Sequence, residues 1–304
     1  MKKIALALAA ASLALLISAC SMMGFNAPKA WQRGDGEISV VATTNVWADL
    51  AYQIGGKAIT ANAIIFNVNQ DPHSFEATAR DQLLINNADL VITNGGGFDD
   101  FMNTMLDARP VKNPVVDAVK VAGTDDTGNE HIWLDVERVR KVAGEIATQL
   151  RAIALPAAAE GIDANLAKFN SKLDAMASEI AGYRAKLDGK SVLMLDPVAH
   201  YLVTQMGLID QTPPSALAAL EEDRDISTND LNVIEALLTT AKMHGVIVNA
   251  NNWTNQISKL AGLDKNTPTL SVSELLDQDP DTFEYYGDYF DYLKSQVMNV
   301  GIGN

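Results

Sequence analysis

The chain has 304 residues, of which 38 are acidic and 23 basic, giving a net charge of −15, and it contains a single cysteine. That charge argues against a nucleic-acid surface or a general attraction to anionic lipid. One cysteine leaves no internal disulfide and no thiolate metal site, so any bound metal must rest on nitrogen and oxygen donors.

At the N-terminus, Lys2 and Lys3 precede an apolar run from Ile4 to Ile17 that is broken only by Ser12. This is the anatomy of a secretory signal. The run is short of the roughly 20 apolar residues that an ordinary spanning helix needs, and no later stretch reaches that length. Ile17-Ser18-Ala19-Cys20 resembles the bacterial lipobox. The resemblance implies a signal peptide over 1–19, cleavage before Cys20, and lipidation of Cys20. Residues 20–36, with Gly24, Pro28, Gly34 and Gly36 and no periodicity, read as a lipidated tether.

From residue 37 the pattern alternates. Ile38 to Thr43 reads as a strand, Val46 to Ile54 as a helix stopped by Gly55-Gly56, and Ile59 to Phe66 as the next strand. Thr78 with Asp81 three residues on is a helix start. Asp89 to Thr93 and Val115 to Asp117 read as strands, and a helix is expected from Val136 to Leu150. Between about 160 and 187 the apolar residues Leu166, Phe169, Leu173, Met176, Ile180, Tyr183 and Leu187 step by three and four, which marks one face of a long helix. Alternation then resumes. Strands are expected over Ser191 to Leu195, Gly245 to Asn249 and Thr269 to Val272, with helices near Tyr201 to Met206, Asn229 to Lys242 and Thr254 to Ala261. The expected fold is α/β: two lobes, each a mainly parallel sheet flanked by helices, joined by one long stiff helix. The expected division is an N-terminal α/β lobe over 37–159, the linking helix over 160–187 and a C-terminal α/β lobe over 188–304. Ligand sites in such sheets lie outside the carboxyl ends of the strands, so two facing lobes make a cleft.

The chain has four histidines, His73, His131, His200 and His244. His73 and His131 stand in Asp71-Pro72-His73-Ser74-Phe75-Glu76 and His131-Ile132-Trp133-Leu134-Asp135, each just before a helix. These segments resemble the D-P-H-x-[YF]-E and H-x-W-[LM]-D motifs of the solute-binding lipoproteins of zinc and manganese ABC importers. The resemblance covers essentially the whole mature chain. It implies an extracytoplasmic, membrane-anchored, monomeric receptor. Its cargo is one divalent ion, manganese or zinc, bound between the lobes and delivered to an ABC-transporter permease.

The resemblance carries the ligand role onto His73 and His131. In the second lobe it points to Asp196, in Leu195-Asp196-Pro197-Val198, and to Glu274, in Val272-Ser273-Glu274. Asp196 is shorter than the acid usual in that branch, which leaves His200, four residues on, as the alternative third ligand. His244, near a helix end, reads as structural. Asn249, Asn251 and Asn252 stand at a strand end, where they either orient Asp196 and Glu274 or serve the turn. Imidazole and carboxylate donors suit zinc, manganese and ferrous iron. The short acidic stretch Ala122 to Asn129 lacks the histidines of a dedicated zinc loop, which leans toward manganese.

Catalysis has little support. No His-Glu-x-x-His helix or G-x-S-x-G turn occurs, and Gly95-Gly96-Gly97 is not followed by the G-K-[ST] of a phosphate loop. A metal-dependent hydrolase is therefore the weakest rival, behind a surface adhesin lipoprotein and a receptor for a chelated-iron ligand. Phe283, Tyr285, Tyr286, Tyr289, Phe290 and Tyr292 are expected to pack along the last helix.

Overall fold

The computed structural model describes residues 37–301 apart from 69, 223, 252, 264, 265 and 277–287. The signal peptide, Cys20 and the tether lie outside the described residues, as do Asn252 and the aromatic residues Phe283, Tyr285 and Tyr286. No helix among the described residues is long and apolar enough to cross a membrane.

The first lobe runs β1 (Ile38–Thr44), α1 (Asn45–Gly55), β2 (Ile59–Ile65), α2 (Ala79–Asn86), β3 (Leu90–Thr93), α3 (Phe101–Asp107), β4 (Val115–Asp117), α4 (Ala118–Ala122) and α5 (Val136–Ile153). Its strands lie in the order β2-β1-β3-β4, all parallel. The strands are buried runs of Val, Ile and Ala, as a sheet covered on both faces requires. Helix α2 starts where the sequence places it. Thr78 Oγ1 accepts from Asp81 N and Thr78 N donates to Asp81 Oδ2 (2.7 Å), closing a capping box.

Helix α6 (Pro156–Leu187) links the lobes over 32 residues, about 48 Å at 1.5 Å per residue. It begins four residues before the expected start because Pro156 occupies the first turn, where a missing N–H costs nothing. Its stripe of Phe169, Leu173, Met176 and Ile180 is buried in a core that continues from one lobe into the other.

The second lobe repeats the plan with β5 (Ser191–Met194), α7 (His200–Gln205), β6 (Ile209–Asp210), α8 (Pro214–Glu221), α9 (Thr228–Thr240), β7 (Gly245–Asn249), α10 (Asn255–Ala261), β8 (Thr269–Val272) and α11 (Tyr289–Gly301). The strand order is β6-β5-β7-β8, again all parallel. Helices α3, α4 and α8 and the two-residue strand β6 were not anticipated; each is eight residues or shorter, so periodicity has little to work on.

The lobes are stitched together. Leu275, from the loop after β8, is fully buried in a first-lobe cluster with Val41, Ile64, Ile85 and Met102. Asn45, the first residue of α1, donates Nδ2 to Leu276 O (3.0 Å) and accepts from Leu276 N (3.0 Å). Trp133 Nε1 donates to Tyr292 Oη (3.0 Å), and Tyr289 Oη donates to Trp133 O (2.8 Å). These bonds cross between lobes on either side of α6.

Candidate metal centre

Each motif segment divides its labour. In the first, Asp71 folds the chain back on itself: Oδ1 accepts from His73 N (2.9 Å) and Oδ2 from Ser74 Oγ (2.9 Å). Pro72 is buried, and Phe75 packs on Phe101 with ring centres 4.9 Å apart. The turn thus pushes His73 outward over the end of β2. In the second, Trp133 fills the core, and Asp135 caps α5 by accepting from Glu137 N (3.0 Å) and Arg138 N (2.9 Å). His131 is left buried at the head of that turn, with a 1 % exposed side chain.

The orientation of His131 is fixed by Asn129. The Asn129 Oδ1 atom accepts from both His131 N (3.0 Å) and His131 Nδ1 (3.2 Å). Nδ1 therefore donates to Asn129, which leaves Nε2 as the nitrogen a metal would take once its own proton is shed, the arrangement expected of a histidine ligand. Phe98 stands 5.2 Å from the His73 ring and 5.8 Å from the His131 ring, an apolar wall shared by both. The triple glycine leads into Phe98. The buried Asp99 carboxylate accepts from the amide of the first glycine, Gly95 N (2.8 Å), and from Asn94 N (2.7 Å). At Gly96, with φ of +73°, a Cβ would lie 2.9 Å from that of Glu130, so the close approach of the two loops depends on glycine.

The second lobe supplies carboxylates from beyond the carboxyl ends of its strands. Asp196 follows β5 and Glu274 follows β8; both are buried. Asn249, the last residue of β7, donates Nδ2 to Asp196 Oδ2 (3.1 Å) and to Glu274 Oε1 (2.6 Å) and so holds the pair together. Asn251 Oδ1 in turn accepts from Glu274 N (2.9 Å). Asn249 thus takes the orienting role that sequence reasoning had left open.

Nitrogen and oxygen donors converge in two overlapping triads. His131, Asp196 and Glu274 offer atoms within 4.8 Å of one another, and so do His73, His131 and Glu221. His131 belongs to both. Its Nε2 is 3.8 Å from Glu274 Oε1. His200 is in neither triad; its Nε2 pairs with Asp125 Oδ2 at 2.5 Å across the lobe junction. His244 lies beyond the end of α9, and its Nε2 bonds Val300 O (3.3 Å) in the last turn of α11, a capping contact with a different helix from the expected one.

Glu221, at the end of α8, escaped the sequence reading. Pro214 at the helix start was a usable signal for α8. An acid at a helix end, however, reads as a solvated residue until its neighbours are known.

The charge balance is severe. Burial alone would lower His131, but the Glu274, Glu221 and Glu130 carboxylates raise it to about 9. Burial and the Glu274 carboxylate push Asp196 up to about 7. Burial and the neighbouring Glu130 carboxyl push Glu221 up to about 9, while Glu130 itself is lowered because hydrogen bonding to Glu221 and the His131 charge outweigh its burial. Protons hold the cluster together where a cation would do so better. The cavity between His73, Asp196, Glu221, Asn249 and Glu274 is about 20 Å³, room for one water-sized species. A larger groove of about 710 Å³, lined in part by Glu130, runs along its flank and shares Glu221 as wall.

The family model described as "Zinc-uptake complex component A periplasmic" matches residues 40–300. The manganese ABC transporter substrate-binding lipoprotein PsaA of Streptococcus anginosus is 30% identical over 181 residues, which are 55% of this chain and 58% of that protein. The alignment thus spans little more than half the length of that relative. The periplasmic zinc binding protein TroA from Treponema pallidum has a similar structure, with a TM-score of 0.74 at 16% identity, covering 88% of this chain and 99% of that one. The laminin binding protein Lmb of Streptococcus agalactiae, described as bifunctional with adhesin and metal transporting activity, gives a TM-score of 0.72 at 17% identity, with 88% and 99% covered.

Proposed function

The chain belongs to the zinc-uptake complex component A family, and from this premise we propose that it is an extracytoplasmic receptor, anchored through lipid on Cys20, that captures one manganese or zinc ion between its lobes and delivers it to an ABC permease. The chain acts as a monomer and catalyses no reaction. The proposed division is an N-terminal lobe over 37–159, the linking helix over 160–187 and a C-terminal lobe over 188–304. The proposed ligands are His73, His131, Asp196 and Glu274, of which His131, Asp196 and Glu274 converge as one triad and His73 meets the ion in the neighbouring one.

The observation that carries this reading is the convergence of His131 with Asp196 and Glu274 across the lobe junction. One lobe contributes an imidazole whose Nε2, protonated in the empty site, lies 3.8 Å from the Glu274 carboxylate of the other, with Asp196 beside it. A divalent ion there replaces protons, neutralises the carboxylates and ties the lobes together. The permease would then recognise the tied form. Buried stitches such as Asn45 to Leu276 support a small movement on binding. The cavity at the donor atoms has room for one water-sized species, which favours a bare ion there.

The direct test strips the purified, detergent-solubilised chain of metal and offers manganese and zinc in competition. One ion per chain is expected. No stoichiometric metal under any condition would remove the receptor reading.

Affinity should depend steeply on pH. His131, near 9, and Asp196, near 7, carry protons when the site is empty and must shed them to bind. Protons compete below those values, so affinity falls as pH falls. Between pH 8 and pH 6 the expected loss is roughly tenfold per pH unit for each proton displaced. Titration calorimetry in buffers of different ionisation enthalpy would count the released protons. A pH-independent affinity with no proton release would show that the empty site is not protonated.

A further inference from the structure

The two triads differ in depth. The His131, Asp196 and Glu274 side chains are 1%, 6% and 5–6% exposed, so the inner triad is sealed. The His73 side chain is 25% exposed, and Glu221 is half-buried at the wall of the 710 Å³ groove. The outer triad therefore stands between solvent and the inner one. Two donors bound to one ion at about 2.1 Å stand roughly 3–4 Å apart. Each triad, with its atoms inside 4.8 Å, is close to that spacing. Glu221 Oε1 is also buried without a hydrogen-bond partner. A buried carboxyl oxygen without a hydrogen bond beside two imidazoles is a place for a cation, which would displace the proton shared with Glu130.

We propose that Glu221 is itself a metal ligand, and that with His73 and His131 it forms an outer station through which the ion passes from the groove to the inner station of His131, Asp196 and Glu274. His131 serves both stations, so the ion need never be released between them. It exchanges His73 and Glu221 for Asp196 and Glu274 while Nε2 of His131 stays bound. Glu130, whose Oε1 is 3.8 Å from His73 Nε2, lies on the same wall and adds to the attraction for the cation. The inference rests on the metal-receptor reading above.

The test follows zinc transfer from a chromogenic chelator to the full-length chain in detergent by stopped flow. Wild type, Glu221→Gln, Glu221→Asp and Glu222→Gln are compared. Glu222 is exposed and pairs with Arg224, so its variant makes the same side-chain change one residue away. Glu221→Gln is expected to slow zinc uptake at least tenfold, Glu221→Asp less, and Glu222→Gln by under twofold, with one zinc per chain in each. A second measurement isolates the outer station. In the Asp196→Asn, Glu274→Gln double variant, X-ray absorption should show zinc on two imidazoles and a carboxylate, and adding Glu221→Gln should abolish that binding. Equal slowing by Glu221→Gln and Glu222→Gln would reduce the effect to long-range attraction and overturn the proposal. So would uptake by Glu221→Gln at the wild-type rate. If wild type takes up no zinc or manganese, the receptor reading itself falls, a result the variants cannot mimic.

Discussion

His131→Ala should lower metal affinity by at least about a thousandfold, well beyond the roughly 10–100-fold that loss of an outer supporting partner costs. The reason is its place in both triads. Every other proposed ligand serves one station only. Removing His73 leaves His131, Asp196 and Glu274 within 4.8 Å of each other, whereas removing His131 leaves two groups that no longer share a histidine. The order of effects is therefore as informative as their size. His73→Ala should weaken binding less than His131→Ala in equilibrium competition against a calibrated chelator. Equal losses would mean one four-ligand centre in place of two overlapping triads. The empty His131→Ala variant should also shed the proton that three carboxylates hold on the imidazole, so the pH dependence of any residual binding should flatten.

Asn45→Ala should be the most destabilising single change at the lobe junction. Asn45 is fully buried, and its amide satisfies both the N–H and the C=O of Leu276. Truncation leaves both backbone groups without a protein partner at 1–3 kcal/mol each, so a loss of about 2–5 kcal/mol is expected. In a chain of this size that lowers Tm by about 5–15 °C. The effect should reach the metal. Leu276 is two residues from Glu274, and Leu275 between them is anchored in the first-lobe core. A loosened 274–276 segment no longer presents Glu274 to His131. Asn45→Asp, which keeps the acceptor and loses the donor, should fall between wild type and Asn45→Ala. Thermal melts with and without manganese would separate the stability loss from the binding loss. A Tm within 2 °C of wild type would mean that water enters and replaces the lost bonds.

Local chemistry was legible residue by residue. Thr78 and Asp81 announced a capping box, and the box is there. Asp135 in the second motif is an N-cap, and Asp71 in the first makes a turn bonded to the residues just after it. Such bonds span two or three residues, so the sequence contains them whole. The same holds for the apolar stripe of α6, a single helical period sustained over many turns. Helices α3, α4 and α8 were lost for the converse reason, being too short to show a period.

What sequence spacing could not reveal is what meets what. Asn45 and Leu276 are 231 residues apart, Trp133 and Tyr292 159, and Asn251 bonds Val68 across 183. Asn249 was placed near the site by its strand end, but its choice of Asp196 and Glu274 as simultaneous partners depends on β5, β7 and β8 lying side by side. His200 and Asp196 were rivals in one dimension; in three, His200 faces Asp125 and Asp196 faces His131. Glu221 had no motif at all.

The sequence by itself determined the alternating α/β plan, the long helix between lobes and the two histidine-bearing turns, because each is written in periodicity and in bonds between near neighbours. Only the tertiary structure decided that buried imidazole and carboxylate groups from two lobes crowd around one small cavity. That decision belongs to packing. Apolar burial through α6 and Leu275 brings the lobes together, and the charges they carry are then held closer than water alone would allow. Protons relieve that repulsion in the empty site, and a divalent ion relieves it better.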